Sequence, residues 1–564
     1  MSFYSDASLV LIPSGYKDQK IYCAKPTDGS ADLTFSRASS ATRVQSDGLI
    51  EKVRTNLVLQ SEAFNTTWIT NAAPTITANN QTAPNGTLTA DTIAATAASS
   101  GVYQTPVVSI GVEHSFSVYI KNITSATSVQ LGCDLGPING FLNFNAVTGV
   151  ITSTAAGITG SSVTNVGNGW YRVSGTYIAT GTTNTFVIFG TSAMTFAAWG
   201  AQFETGVTTD YIATTTAAVS VGPVSGLPRL DYLGSTCPRL LLEPQRTNLA
   251  IYSEQFDNAG WGKTQSGTGL VPVVTANNAI SPDGYQNADT IVFDVGAGTT
   301  SSDISAMFQT FGGTTATYTG SFYAKTASGT AQIQVRIDGS NYDKFTITNQ
   351  WQRFTLTKAL TGTSNVFEMA IRRGLNEPMN ASATIQLWGV QVELGAYATS
   401  YIPTLGASVT RVADAASKTS ASALIGQTEG TIFWEFEFTT SVATGNEALL
   451  NIDNGSFGNT VYISKSASGG IVAEMYNGGV LQASLSLSSQ PAGTYKAAIG
   501  YANNNTAFFV NGVQVGTTDT SCSVPAMSRI QLGNTAIGPS TDKTAQVLLF
   551  TTRLTNAQLA ELTA

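Results

Sequence analysis

The sequence predicts an all-β protein made of tandem antiparallel β-sandwiches, and three observations support this fold class. Apolar and polar residues alternate over short segments such as Ser115–Ile120 and Ala331–Asp338, which is typical of strands with one buried face. Clusters of Gly, Asn, Asp and Pro separate these segments, as turns do. The third observation is a long internal duplication. Together they predict two duplicated jelly rolls followed by a further sandwich.

The duplication consists of short blocks that recur in the same order. Arg54-Thr-Asn-Leu57 returns as Arg246-Thr-Asn-Leu249. The other matched blocks are Leu49–Glu51 with Leu241–Glu243, Ser61–Trp68 with Ser253–Trp261, Pro84–Ile93 with Pro282–Ile291, Ser117–Lys121 with Ser321–Lys325, Trp170–Arg172 with Trp351–Arg353, and Trp199–Ile212 with Trp388–Ile402. An ordered series of this kind indicates two copies of one module.

These blocks divide the chain into five predicted segments. They are an N-terminal β preamble or attachment segment (1–53), β-sandwich module 1 (54–222), a connector (223–245), β-sandwich module 2 (246–413) and a C-terminal domain (414–564). The connector contains Pro223, Pro228, Pro238 and Pro244. Because proline disfavours helix and central strand, we expect an extended connector whose cleavage leaves independently folded halves.

Residues 414–564 are unrelated to the repeat but also alternate in the manner of strands. Asn511-Gly512, flanked by apolar alternation, predicts a two-residue hairpin turn. The last residues predict a short helix that begins after Thr555 as its N-cap.

Composition excludes several functional classes. Charged residues make up 11% of the 564 residues and the net charge is −8, which is unsuited to neutralising nucleic-acid phosphates. The single histidine, His114, cannot form a His-rich zinc site, and we interpret it as a loop or strand-edge residue. The four cysteines show no metal-site spacing, so we expect reduced, mostly buried thiols in a protein made in a reducing cytoplasm.

The matched tryptophans of the two modules allow two interpretations. The pairs are Trp68 with Trp261, Trp170 with Trp351, and Trp199 with Trp388. They could form sugar platforms, but their presence in alternating strands of both copies favours core packing. Lys121 and Lys325, with Glu204 and Glu393, could form a paired charge near the edge of each core.

The C-terminal domain resembles the concanavalin A-like, laminin-G-type lectin fold. The resemblance is carried by the order of Glu429–Trp434, Tyr501, Phe508–Val515, Ile530–Gly533 and Val547–Leu559. The calcium-binding carboxylates of some relatives are not evident, so no metal and no cofactor are expected.

The rest of the chain is similar to modular bacteriophage virion proteins of the tail-fibre, tail-spike or receptor-binding kind with carbohydrate-binding-like jelly rolls. The strings that carry this resemblance are Thr34–Glu51, both Arg-Thr-Asn-Leu blocks and Tyr401–Asp414. The resemblance implies a protein on the virion surface, commonly a homotrimer, that contacts other virion proteins and the host surface. We expect residues 1–53 near the attachment point.

Three functions remain open at this stage. The leading hypothesis is a non-enzymatic fibre or spike component that binds host-cell polysaccharide, with no nucleic-acid partner and no membrane insertion. A purely architectural decoration protein is the second. The third, a polysaccharide depolymerase, needs two carboxylates across a cleft, and no pair of acids stands in a recognisable motif, so no catalytic residues are predicted.

Two loops of the C-terminal domain are the predicted glycan-contact regions, because they combine aromatic rings with short polar side chains and glycines. The candidate residues are Asp453, Asn454, Phe457, Asn459, Tyr476 and Asn477. The alternative is that Asp-Asn-Gly and Asn-Gly-Gly are ordinary hairpin turns, with Tyr476 covering the sheet.

Overall fold

The computed structural model describes residues 3–124, 128–135, 138–182, 184–339, 341–375, 379–439, 447–533 and 542–564. In these ranges the strands form several antiparallel sheets that pack as sandwiches. The predicted all-β class is therefore confirmed.

The N-terminal segment forms short elements that end where module 1 begins. They are α1 (Phe3–Asp6), β1 (Leu9–Leu11), β2 (Tyr16–Lys17), β3 (Lys20–Ile21), β4 (Leu33–Ser36), β5 (Thr42–Val44) and β6 (Ile50–Lys52). The next strand, β7 (Arg54–Asn56), is the first of module 1.

Module 1 continues with longer strands. They are β8 (Ile69–Asn71), β9 (Thr75–Gln81), β10 (Ala90–Ala95), β11 (Ser100–Gln104), β12 (Glu113–Asn122), β13 (Val129–Leu135), β14 (Ile138–Asn145), β15 (Val150–Thr154), β16 (Ile158–Gly167), β17 (Trp170–Ile178), β18 (Phe186–Gly190), β19 (Met194–Thr205) and β20 (Val219–Val221).

Two short strands follow in the connector, and module 2 comes next. They are β21 (Arg229–Asp231), β22 (Arg239–Leu241), β23 (Arg246–Asn248), β24 (Gly262–Ser266), β25 (Leu270–Ala279), β26 (Ala288–Asp294), β27 (Ile304–Gly312), β28 (Ala316–Lys325), β29 (Ala331–Arg336), β30 (Asp343–Ile347), β31 (Gln352–Leu360), β32 (Ser364–Arg372), β33 (Ser382–Leu394) and β34 (Val409–Arg411).

The C-terminal domain contains the remaining elements. They are β35 (Ala415–Lys418), a 3₁₀ turn (Ser422–Leu424), β36 (Glu429–Phe438), β37 (Glu447–Asp453), β38 (Thr460–Lys465), β39 (Ile471–Asn477), β40 (Val480–Leu487), β41 (Gly493–Ala502), β42 (Thr506–Val510), β43 (Val513–Asp519), β44 (Arg529–Leu532), β45 (Lys543–Phe550) and α2 (Asn556–Thr563).

The two modules have the same strand order. Module 1 has sheets β16-β17-β12-β19-β10-β9 and β15-β14-β13-β18-β11-β8, and module 2 has sheets β31-β28-β33-β26-β25 and β30-β29-β32-β27-β24. Strand for strand, module 2 repeats module 1 except for β15 and β16, which add one edge strand to each sheet of module 1. Trp199 and Trp388 are both buried, each in a small cluster separate from the main core of its module. The duplication inferred from sequence is thus a duplication of topology.

The local signals in the C-terminal domain also form as expected. Asn511 and Gly512 adopt φ values of 47° and 80° in the tight turn between β42 and β43, a geometry in which both central residues are left-handed. The Thr555 side chain caps α2 by accepting a hydrogen bond from the Gln558 backbone N–H.

The N-terminal segment differs from the expected separate preamble, because it supplies strands to both sheets of the C-terminal sandwich. Strand β1 pairs with β45, with Leu9 opposite Leu549. Strands β2, β3 and β4 extend the other sheet, in which β4 pairs with β35. The apolar side chains of β1 are buried, so this segment completes a hydrophobic core instead of standing apart from it.

The connector is also not extended. Its strands β21 and β22 form an antiparallel pair, and β22 adds that pair to β45. Pro228 and Pro238 each lie immediately before one of these strands, a position where proline removes no hydrogen bond from the centre of a sheet. Pro228 and Pro238 therefore mark the starts of β21 and β22.

The chain forms two compact units. The large unit comprises the segment that ends at Lys52 together with 223–284 and 288–564, and the module 1 unit comprises 53–222 with 285–287. The large unit therefore combines the N-terminal segment, the connector, module 2 and the C-terminal sandwich.

Five charged side chains lie buried together in the large unit. Arg37 Nη1 lies 2.9 Å from a carboxylate oxygen of Asp414. Arg229 contacts Glu243 at 2.6 Å and also contacts Asp414. Arg411 Nη1 lies 2.9 Å from Glu243. These side chains are at most 3% exposed, so we call this set the buried charge network.

The network joins segments that are far apart in sequence. The second terminal nitrogen of Arg37 donates to the backbone carbonyls of Pro223, Val224 and Leu227. The backbone N–H of Glu243 donates to Asp414 at 2.8 Å. The N-terminal segment, the connector and the end of module 2 are consequently held at one place.

The charge state of Glu243 depends on its arginine neighbours. Burial alone would raise the pKa of Glu243, but the Arg411 and Arg229 guanidinium groups outweigh burial and hold this pKa well below its usual range. A carboxyl whose pKa falls on folding stabilises the folded state above its unfolded pKa of about 4.3, and this contribution is lost as the pH falls.

We expect Glu243→Gln to destabilise the large unit by about 3–5 kcal/mol at pH 7, because it leaves the buried Arg411 without its ion-pair partner and Arg229 with Asp414 alone. The difference from the wild type should shrink below about pH 4, where the wild-type carboxyl loses its advantage. Urea unfolding of both proteins between pH 3 and pH 8 measures this. The control is Asp343→Asn, which breaks the partly exposed pair with Lys358 and should cost less than about 1 kcal/mol. Equal losses for the two variants would contradict a special role for the network.

Residues 53–222 expressed alone should unfold cooperatively, because both sheets of module 1 and their shared core lie in this range. Residues 246–564 expressed alone should not, since they lack the connector strands, the N-terminal strands and three members of the network. Differential scanning calorimetry of both fragments tests this. A cooperative transition of the second fragment near that of the full chain would show that the added strands are dispensable.

Candidate functional site

The structure brings the two predicted loops of the C-terminal domain together. One loop joins β37 to β38, and the other turns β39 into β40. The Gly479 N–H donates to the Gly458 carbonyl at 2.9 Å, and the Gly478 N–H donates to Asn459 Oδ1 at 2.9 Å. Two loops that are separate in the sequence therefore form one continuous surface.

Three aromatic rings form a cluster beside these loops. The Phe457 ring centroid lies 5.4 Å from that of Tyr462 and 5.5 Å from that of Tyr476. The Tyr462 and Tyr476 rings are nearly parallel, with an interplanar angle of 8°. Phe457 is 38% exposed and Tyr476 is half-buried. We call these three residues the aromatic cluster, which presents flat apolar surface to solvent at the loop rim.

Glu474 holds the hydroxyl ends of the two tyrosines. Its carboxylate accepts hydrogen bonds from the hydroxyls of Tyr462 and Tyr476, the second at 3.3 Å, and from Ser484 Oγ at 3.0 Å. Burial raises the pKa of both tyrosines, and the Glu474 carboxylate raises it further. Both phenols therefore remain protonated at neutral pH and can donate to the carboxylate, which fixes the ring planes.

Asp453 does not have the exposed position expected of a ligand contact. Its side chain is buried and forms a two-point ion pair with Arg529, at 2.7 Å to Nε and 2.8 Å to Nη2. It also accepts from the Gly455 N–H at 2.8 Å. Through these contacts Asp453 fixes the position of the loop, so its role is structural.

The three predicted asparagines have different positions. Asn454 is exposed, and its Oδ1 accepts from the Ser456 N–H. Asn459 uses its Oδ1 for the contact with Gly478 between the loops. Asn477 Nδ2 donates to Ser523 Oγ at 3.0 Å. Of the three, Asn454 is the most open to a ligand, while Asn459 and Asn477 shape the loops.

Sequence reasoning missed Tyr462 and Glu474. The signal was available in the alternation of Thr460–Lys465 and Ile471–Asn477, which places every second residue on one face. Register then sets Tyr462 directly opposite Glu474 on the neighbouring strand. Pairing of these two strands was the missing information.

Neither a metal centre nor a membrane-spanning helix is found in the described ranges. His, Cys, Asp and Glu side chains there form no group of three or more that could hold a metal ion. No helix in the described part of the chain is long and apolar enough to cross a membrane.

Comparison with known proteins gives no family. No protein-family model matches the chain, and no curated protein matches it. Solved structures match parts of it at low similarity. A carbohydrate-binding module (CBM40) of the Ruminococcus gnavus IT-sialidase is 18% identical, covers 26% of this chain and 87% of that chain, and has a TM-score of 0.22.

Two further solved structures are similarly distant. The tandem CBM22 domains of Paenibacillus barcinonensis Xyn10C are 11% identical, cover 64% of this chain and 100% of that chain, and have a TM-score of 0.21. Tailspike protein 4 of bacteriophage CBA120 is 15% identical, covers 26% of this chain and 21% of that chain, and has a TM-score of 0.19. Similarity at this level carries no functional argument, which must come from the site itself.

Proposed function

We propose that this protein is a non-enzymatic component of a phage virion, of the tail-fibre, spike or head-fibre type, that binds host surface glycans through its C-terminal sandwich. The observation that carries the glycan part is the aromatic cluster, whose exposed Phe457 and half-buried Tyr476 lie where the two loops meet. The virion part is supported by the sequence resemblance described above.

The geometry suits a saccharide for physical reasons. The C–H faces of a sugar ring pack against flat aromatic surface, and its hydroxyls need amide or carboxylate partners at the rim. Asn454 supplies an exposed amide in the same loop as Phe457. Glu474 and the contact between the loops hold the rings in place before a ligand arrives, which lowers the entropy lost on binding. A single weak site of this kind becomes effective when many copies act together on one particle.

We expect Tyr476→Ala to weaken attachment to host cells several-fold, because it removes part of the stacking surface, with a melting temperature within a few degrees of the wild type. The Tyr476→Ala and Phe457→Ala double variant should lose more. Tyr22→Ala is the matched control, since this tyrosine is 39% exposed and lies outside the site. Binding of purified protein to host polysaccharide by surface plasmon resonance provides the measurement.

The same mixtures distinguish binding from catalysis. An enzyme would release new reducing ends from the polysaccharide, and in our proposal none form. If the folded Tyr476→Ala and Phe457→Ala double variant binds as well as the wild type, the glycan site does not lie at these loops. Absence of any polysaccharide binding would favour an architectural role.

We also propose that the protein assembles as a homotrimer. Only 11% of its residues are charged, and scarcity of charge is typical of the core of a subunit interface. Multi-angle light scattering at micromolar concentration should give three times the 58.8 kDa mass of one chain. A stable monomer under these conditions would refute this assembly.

A further inference from the structure

A groove crosses one sheet of module 2, far in sequence from the loops just described. It lies on the face of β24, β27, β32 and β29 that is turned away from the module core, and it has a volume of about 340 Å³. This size is within the range of small-ligand pockets. Its lining combines aromatic, charged and hydroxyl side chains, among them Thr264, Phe308, Arg336, Tyr342, Glu368 and Arg372.

Two of the charged side chains in the groove neutralise each other. Arg336 contacts Glu368 Oε2 through Nε at 3.0 Å and through Nη2 at 2.5 Å. The Tyr342 hydroxyl donates to Glu368 Oε1 at 2.5 Å, and the Arg336 guanidinium lies 4.6 Å from the centroid of the Tyr342 ring. Both carboxylate oxygens of Glu368 therefore accept hydrogen bonds, which hold Arg336, Tyr342 and Glu368 in fixed positions on one side of the groove.

Arg372 is the third charged side chain of the groove, and its positive charge is not paired with Glu368. Its Nε donates to the Ser301 carbonyl at 2.8 Å, which fixes the direction of the side chain. Among the described residues, its two terminal nitrogens make no hydrogen bond or ion pair. Arg372 is half-buried, so its planar pair of donors is held in position inside the groove. Such a pair matches the two oxygens of a carboxylate.

The Phe308 ring lines the groove and occupies space that is available only because residue 262 is a glycine. Phe308 lies opposite Gly262 on the neighbouring strand. A Cβ at Gly262 would lie only 2.6 Å from a ring carbon of Phe308, so the absence of a side chain lets the ring lie flat on the strand. Thr264 and Ser266 are exposed farther along the same strand and offer hydroxyls beside this ring.

The fold itself does not require these charges. Strand order pairs β27 and β32 of module 2 with β11 and β18 of module 1. Strands β11 and β18, Ser100–Gln104 and Phe186–Gly190, contain no Arg, Lys, Asp or Glu. The charges of Glu368 and Arg372, both on β32, are thus specific to module 2, in a chain where charged residues are scarce.

We propose that this groove is a second saccharide site, selective for a sugar residue that carries a carboxylate. Arg372 binds the carboxylate with both terminal nitrogens, the Phe308 ring packs against the C–H face of the sugar, and Thr264 and Ser266 contact its hydroxyls. The inference rests on the proposed glycan-binding function and adds the chemical class of the ligand.

The test uses the full chain on an array of carboxylate-bearing bacterial saccharides, each printed beside its carboxyl-reduced form. We expect the wild type to retain acidic members at least about tenfold better than their reduced partners, as loss of a charge-assisted bond implies. Arg372→Gln should abolish this preference and Arg372→Lys should restore part of it. Arg373→Gln is the matched control, because this neighbouring arginine does not line the groove.

Each outcome decides between the two proposals. A preference for acidic saccharides that Arg372→Gln removes and Tyr476→Ala leaves in place supports the groove. Equal retention of acidic and reduced forms, or a preference that survives in folded Arg372→Gln, overturns the groove while leaving glycan binding intact. Retention of no saccharide at all overturns both. Calorimetry shows whether Arg372→Gln is folded. If it is not, Phe308→Leu tests the groove independently, because this variant loses the stacking surface and should retain acidic saccharides less well.

Discussion

The buried charge network is the constraint on which the large unit depends. Arg37, Arg229 and Arg411 reach Glu243 and Asp414 from separate stretches of the chain. Desolvating five charges is costly, and the ion pairs and backbone hydrogen bonds of the network offset that cost. An arrangement in which any one segment moves away leaves a charge buried without its partner. The network therefore favours a single way of joining the N-terminal segment, the connector and module 2.

The sequence was sufficient to predict features that depend on neighbouring residues, such as turns and helix caps. It was not sufficient to predict contacts between residues far apart in the chain. The duplication, the Asn511-Gly512 turn and the Thr555 cap are visible within short windows, and all three form. The connector strands could not be recognised because their partner, β45, lies some three hundred residues away. The residues of the charge network resemble ordinary surface charges in the sequence, since nothing local shows that they are buried.

The same distinction applies to the candidate site. The loops were predicted from their glycines and aromatic residues, and the structure places them in contact. Tyr462 and Glu474 were missed because their importance arises from the register between two strands. Asp453 was predicted as a glycan contact because its loop combines an aromatic ring with short polar side chains, whereas Arg529 on the adjacent strand β44 forms an ion pair with it.

Pairing of β1 with β45 has a consequence for the order of folding during synthesis. Leu9–Leu11 are translated long before their partner strand, in which Leu549 lies opposite Leu9. Strand β1 therefore stays unpaired until β45 has been translated. Module 1, contiguous in sequence, can fold in the meantime. Closure of the C-terminal sandwich by β1 consequently cannot occur before β45 is made, and a chain that lacks β1 exposes an unpaired strand edge.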